Sequence, residues 1–210
     1  MWRGGERVRL VERDFKLLHE VGRWKFMLGR HIKDLCGFTS VSACDKRLKD
    51  LIVAGYLERK KYIYGVPGLY TLTHKGRILT GYNKRAENIR IDKIYHDICV
   101  LDSLSWFIKT SNISLENITS ERELHSNDGF GVSKHYPDFV VTASGKKYAV
   151  EIEMSLKEKR RFEKNIQNNY MNYDGQVWVV PKTQKKIARI LNENKAVYSG
   201  IKVYFLEELR

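Results

Sequence analysis

Cysteine is scarce in this 210-residue sequence: Cys36, Cys44 and Cys99, an odd number with no CxxC spacing. This argues against a disulfide framework and against a cysteine-based zinc site, and it points to a reducing compartment. No apolar run approaches the ~18 residues of a membrane span. Met1 to Glu6 is charged at once and lacks the apolar stretch of a signal peptide, so a cytoplasmic location is expected. No GxxxxGK[ST] segment is present, so nucleotide hydrolysis is not indicated. The six histidines (His19, His31, His74, His96, His125, His135) show no HExxH or other paired ligand spacing, which argues against zinc. Acid is short relative to base: 25 Asp and Glu against 38 Lys and Arg, a formal charge of +13.

That charge is unevenly placed. Residues 1–90 hold 20 of the basic and 9 of the acidic side chains, an excess of +11, whereas residues 91–210 carry only +2. A basic region of this kind is suited to a polyanion, and double-stranded DNA is the expected partner. No basic amphipathic helix with a broad apolar face is visible, so a membrane surface is not expected to be the target. The length allows one domain or two small ones, and the charge asymmetry favours two.

The first part reads as three helices and a hairpin. Asp14 stands before Phe15, Leu17, Leu18 and Val21 and is expected to cap a first helix. A second spans Leu28 to Leu35 and ends at Gly37. A third is capped by Thr39 or Ser40 and runs to Ala54, with Gly55 as its stop. On this third helix Val41, Cys44, Leu48, Leu51 and Ile52 form the apolar side; Ser42, Lys46 and Lys49 lie opposite, with Arg47 flanking. A strand from Tyr56 to Tyr64, the turn Gly65–Gly68 and a strand from Leu69 to Thr73 follow. Three helices and a β-hairpin are the order of a winged helix-turn-helix. In that arrangement Ser42, Lys46, Arg47 and Lys49 are the groove-facing candidates, and Arg59, Lys60 and Lys61 suit backbone phosphates. Tyr62 and Tyr64 could touch sugars, although hairpin aromatics are more often packing residues.

Residues 1–82 are therefore expected to form the DNA-binding domain, 83–90 a polar connector, and 91–210 a second domain. Its elements read as a long helix over 91–110, a strand ending at Ser120–Leu124, and a loop from His125 to Tyr136. Strands Asp138–Thr142 and Tyr148–Met154 come next. Then follow a helix capped by Ser155 with Glu158 completing a capping box, a strand Gln176–Val180, a helix Thr183–Asn194 and a strand Ile201–Phe205. The fold class expected is α/β (α+β), with a mixed sheet and helices on its faces.

Strand alternation turns Val150, Ile152 and Met154 one way and Glu151 and Glu153 the other. Asp138 on a neighbouring strand could complete a hard oxygen cluster for Mg²⁺ or Mn²⁺, able to polarise a phosphodiester. An ordinary charged edge strand explains the same Glu-x-Glu pair, and both readings stand at this point. Lys157, Arg160, Arg161 and Lys164 form either a second DNA contact or a solvated face paired with Glu158 and Glu163.

Pro137-Asp138, twelve residues, then Glu151-Ile152-Glu153 resembles the PD-(D/E)xK nuclease-like fold. Glu153 stands where a lysine is usual, which makes Lys157 the candidate replacement; Asp97 and Glu121 are candidates for the acid of the first helix. The resemblance implies Asp138, Glu151, Glu153 and Lys157 as the catalytic set, with Asp138 and Glu151 on the metal. Over residues 10–182, "ERDFKLLHEV", "RLKDLIVAGYLER", "YTLTHKGR", "ITSERELH", "YPDFVV" and "YAVEIEMSLKEKRRFEKNIQNNY" are similar to the replication-relaxation family of plasmid and mobile-element proteins. It implies a winged helix fused to a nuclease-like domain that is often catalytically silent. The expected function is a DNA-binding accessory protein at a transfer or replication origin, partnered by a relaxase or replication protein, and homodimeric if it reads two half-sites. No cofactor is demanded. The alternatives are a Mg²⁺-dependent endonuclease targeted by the winged helix and a transcriptional repressor.

Overall fold

The computed structural model describes residues 8–82, 89–111, 113–129, 134–156 and 158–209. Most of the connector expected at 83–90 lies outside them, as does Lys157. The chain divides into two compact units, Met1–Leu101 and Asp102–Arg210. Both mix helices with antiparallel or mixed sheet, an α+β organisation. Among the described residues no helix is long and apolar enough to cross a membrane.

Unit 1 opens with α1 (Glu12–Arg23), α2 (Gly29–Leu35) and α3 (Val41–Val53). Leu17, Leu18 and Val21 of α1, Ile32 and Leu35 of α2, and Cys44, Leu48 and Leu51 of α3 are buried together. Val41, expected in this core, is 61% exposed because it begins α3 and projects past the end of the apolar stripe. Ser40 caps α3, its Oγ accepting from the Ala43 N–H at 3.2 Å, a contact worth about 1 kcal/mol. Asp14 is not the cap of α1. The helix begins two residues earlier, and the Asp14 carboxylate reaches back to accept from the Val11 N–H at 2.8 Å. One of the four unsatisfied amides of the helix start is thereby paired.

The hairpin pairs β1 (Leu57–Lys60) with β2 (Leu69–Leu72), from Leu57 opposite Leu72 to Lys60 opposite Leu69. The strand expected to reach Tyr64 stops at Lys60, because β2 offers no partner beyond Leu69. Met27 and Tyr70 exchange backbone hydrogen bonds of 3.1 and 2.9 Å on the other side of β2, which is buried throughout. A fourth helix that the sequence pattern left unassigned, α4 (His74–Thr80), follows directly. Thr73 caps it and also donates to the Gly55 carbonyl. Gly76 packs so closely that an added Cβ would overlap the Tyr56 carbonyl oxygen. Gly76→Ala is thus expected to destabilise unit 1 by roughly 1–3 kcal/mol through overpacking, although alanine is the better helix former by about 1 kcal/mol. Urea unfolding followed by circular dichroism checks the sign. All three cysteines are buried thiols of this unit. Burial pushes the Cys36 thiol up to about 12 and the Cys44 thiol up to about 11.

The long helix α5 (Ile94–Ser111) contains the division between the units. Unit 2 then builds a sheet from β3 (Ile118–Ser120), β4 (Phe139–Ala143), β5 (Lys146–Ile152), β6 (Gly175–Val180) and β7 (Ile201–Phe205), in that spatial order. The first three strands run antiparallel to one another; β5, β6 and β7 are parallel. Parallel neighbours need crossovers, supplied by α7 (Lys159–Asn172) and α8 (Lys185–Asn194). The two-residue turn between β4 and β5 puts Ser144 and Gly145 at φ of +50° and +75°, the left-handed pair that suits a tight hairpin. Phe162 and Ile166 of α7 and Ile187, Ile190 and Leu191 of α8 pack on Trp178, Val180 and Ile201. Phe107 of α5 meets Phe139 and Tyr204, which belong to the other face.

Three expectations are corrected here. Glu121–Asp128 is a helix, α6, not a strand end and loop. Ser120 and Glu123 form a reciprocal capping box there: the Ser120 N–H donates to the Glu123 carboxylate at 2.7 Å, and the Glu123 N–H donates to Ser120 Oγ at 3.4 Å. Ser155 is no cap, and α7 starts only at Lys159. The Glu153 N–H is still held by the Val179 carbonyl at 3.0 Å, so the chain stays extended past the strand. For the same reason Glu153 lies one residue beyond β5 rather than within it.

Candidate nucleic-acid interface and carboxylate site

In unit 1 the capped helix α3 turns Ser42, Lys46 and Lys49 to solvent. Among the described residues neither lysine has an ion-pair or hydrogen-bond partner. Arg47 is placed differently. Its Nε donates to Asp14 Oδ1 at 2.8 Å, its Nη2 pairs with Asp14 Oδ2, and Nη2 also donates to the Arg9 carbonyl at 2.8 Å. The guanidinium is a clamp between α3 and the start of α1. Burial alone would raise the Asp14 carboxyl; the Arg47 fork and the Val11 N–H outweigh it and hold the group below its ordinary value.

The hairpin presents Arg59, Lys60 and Lys61, all exposed. Arg59 lies across Gly68 with its guanidinium 5.5 Å from the Tyr70 ring centre. Lys60 pairs with Glu58 at 2.8 Å, and this carboxylate holds the ammonium above its usual range. Tyr64 is 95% exposed, with the Lys61 ammonium 5.6 Å from its ring centre. A tyrosine so bare is not a packing residue. A cleft of about 350 Å³ between α2, α3 and the hairpin is bordered by Arg30, Lys33, Asp45 and Arg59.

In unit 2, β4 and β5 bring Asp138 and Glu151 into one region. Asp138 Oδ2 accepts from the Ile152 N–H at 2.7 Å. Glu151, in the middle of the sheet beneath α7, is only 8% exposed. Its Oε1 meets His135 Nε2 at 2.5 Å and accepts from Asn169 Nδ2 at 2.8 Å. Burial, with Asp138 adding to it, raises the Glu151 carboxyl against the pull of His135 and Asn169. Burial alone would lower the His135 imidazole; the Glu151 hydrogen bond and the charges of Glu151, Asp138 and Glu121 together outweigh it and raise the group. Tyr173 is raised too, by burial and by the Glu151 charge. The Asn169 side-chain oxygen, Oδ1, is buried and has no hydrogen-bond partner among the described residues.

These residues do not assemble a divalent-ion ligand set. Among the described residues no three of His, Cys, Asp and Glu converge to hold a metal. Glu151 Oε1 is taken by His135 and Asn169, and Asp138 is engaged with the backbone of β5. Glu153, one residue past the strand, is half-buried, and Lys157 lies outside the described residues. Asp97 meets His96 on α5, in unit 1, and Glu121 meets His125 on α6. Arg160, Arg161 and Lys164 are exposed on α7, where Lys159 rather than any of them pairs with Glu163, at 3.5 Å.

Comparison with family models, curated proteins and solved structures found no match.

Tyr64 is a candidate from sequence beside the Gly-Val-Pro-Gly turn, weighed there against a packing role that its exposure rules out. Two residues of these sites, His135 and Asn169, carry no signal in the sequence, because only the sheet and the α7 crossover bring positions 135, 151 and 169 together.

Proposed function

We propose that this chain is a duplex-DNA-binding accessory protein of a plasmid or mobile element. It reads origin DNA through a winged helix built from α1, α2, α3 and the hairpin, and unit 2 is a nuclease-like scaffold that assists transfer or replication. The observation that carries the DNA reading is the outward face of α3. Two lysines without partners among the described residues, Lys46 and Lys49, stand beside Ser42 in the most basic part of the chain. The hairpin adds Lys61 and the bare Tyr64. Cations with no internal partner are available to phosphates, and a helix presenting them matches the width of a major groove. The tie to a mobile element rests on the motif resemblance.

The test is fluorescence anisotropy with a duplex origin fragment over a range of salt. Lys46→Ala with Lys49→Ala is expected to weaken binding and to lower the salt slope by about two, one for each phosphate no longer neutralised. Tyr64→Ala is expected to weaken binding without changing that slope. Unchanged titrations for both variants would remove the assignment.

The endonuclease reading is favoured by one observation, the approach of Asp138 to Glu151. It predicts nicking of supercoiled plasmid in Mg²⁺ or Mn²⁺, lost with EDTA and in Glu151→Ala. With Glu151 engaged by His135 and Asn169, the expected result is intact plasmid with a mobility shift.

A further inference from the structure

A second basic surface lies on unit 2, apart from the carboxylate site and from the cations of α7. On α8, Ile187, Ile190 and Leu191 enter the core. Lys185, Ala188, Arg189 and Asn192 recur at i, i+3, i+4 and i+7 and so share the opposite side of the helix. They border an open groove of about 740 Å³ that also includes Phe205, Lys182 and one acid, Glu193. Phe205 ends β7, where its ring is only partly covered by the core. The Lys182 ammonium stands 6.0 Å from the ring centre. Ala188 is too small to close the groove over that ring.

The charges are unequal. Lys182 meets Glu208 at 3.1 Å, and Arg189 meets Glu193 at 3.8 Å, both in exposed pairs of little energetic weight. Lys185 has no acidic partner among the described residues. An aromatic platform flanked by cations is what an unpaired nucleotide requires: a π-face for the base and positive charge for the backbone. A duplex keeps its base faces stacked within the helix and offers none to such a ring.

We propose that this groove binds single-stranded DNA, with a base stacked on Phe205 and phosphates at Lys185 and Arg189. The stacking chemistry stands alone; the choice of DNA over RNA rests on the reading of unit 1 as a DNA-binding unit. The full chain would then hold duplex and unpaired strand at separate places.

The experiment is anisotropy of the full-length chain with fluorescein-labelled dT20, with U20 and with a 20-base-pair duplex. The variants are Lys185→Glu with Arg189→Glu, Phe205→Leu, and Lys46→Ala with Lys49→Ala, each checked for wild-type melting. The charge-reversal pair is expected to weaken dT20 at least tenfold. Phe205→Leu, which keeps an apolar side chain but removes the π-face, is expected to weaken it about fivefold or more. Duplex affinity should be unchanged in both. Loss of dT20 binding in the α8 variants, with no duplex binding by the wild type, would support the groove and sink the reading of unit 1. Absent dT20 binding, or dT20 binding that survives the α8 variants, would overturn the groove. So would loss of dT20 in the α3 variants alone, and tighter binding of U20 than dT20 would overturn the choice of DNA.

Discussion

Replacing Arg47 by alanine is expected to cost unit 1 about 3–5 kcal/mol of stability, far more than a surface DNA contact would. The reason is the carboxylate it leaves behind. Asp14 is fully buried, and its two oxygens are held by the Arg47 fork and by the Val11 N–H. Without the guanidinium a charged group remains in the interior with one amide for company. Arg47→Lys is expected to recover only part of the loss, because a point ammonium cannot reproduce the two-pronged contact. The same pair sets an acid limit. The folded-state value of Asp14 is depressed, so its stabilisation is complete above the unfolded value of about 3.9 and disappears as pH falls through the folded one. Wild-type unit 1 should therefore lose stability below about pH 4, while Asp14→Asn should be weaker at neutral pH and flatter in acid. Urea unfolding at pH 7 and pH 3 measures both. A cost below about 1 kcal/mol for Arg47→Ala would mean that the pair behaves as an exposed one and that Arg47 is available to DNA.

Trp178→Ala should be as damaging to unit 2, about 3–5 kcal/mol. The indole is 1% exposed and meets the Phe162 ring edge-on at 4.9 Å, joining α7 to the centre of the sheet. Its Nε1 donates to Gln176 Oε1 at 2.9 Å, and Gln176 Nε2 donates to the Ile166 carbonyl at 3.2 Å. The substitution therefore opens a cavity and strands a buried amide. Trp178→Phe separates the two effects: it keeps most of the ring but orphans the Gln176 oxygen, for about 1–3 kcal/mol. Chemical denaturation of both variants tests the ordering. Since Asn169 reaches Glu151 from α7, loosening this helix should also release one of the two contacts that hold the Glu151 carboxylate. An alanine variant as stable as wild type would show that α7 is held by something other than this packing.

Much of this architecture was legible in the order of residues, and the exceptions have physical causes. The Ser40 cap, the Gly55 stop and the short apolar runs of β6 and β7 are local signals, each confined to a few neighbouring residues, and they appear where expected. The α6 helix was also written locally, in Ser120 and Glu123, but β-like residues just before it obscured the box. Asp14 and Arg47 could not be read this way. Their contact spans 33 positions in sequence, and each residue alone fits another role, Asp14 as a cap and Arg47 as a DNA ligand. The site around Glu151 divides similarly. Asp138 and Glu151 stand out through spacing on adjacent strands, whereas His135 and Asn169 arrive through a loop and a crossover helix whose placement depends on the whole sheet.

The buried thiols make the first unit its own stopwatch. Cys36, Cys44 and Cys99 all lie within residues 1–101, and unit 2 contains no cysteine. At Cys36 and Cys44 burial has raised the proton affinity of the thiol, and all three thiols are buried, so alkylation has to wait until the surrounding helices part. A thiol-specific reagent added to the chain therefore counts openings of unit 1 while ignoring unit 2. If unit 1 binds duplex as proposed, added duplex should slow that labelling in proportion to its concentration over Kd, because a ligand of the closed state alone makes opening rarer.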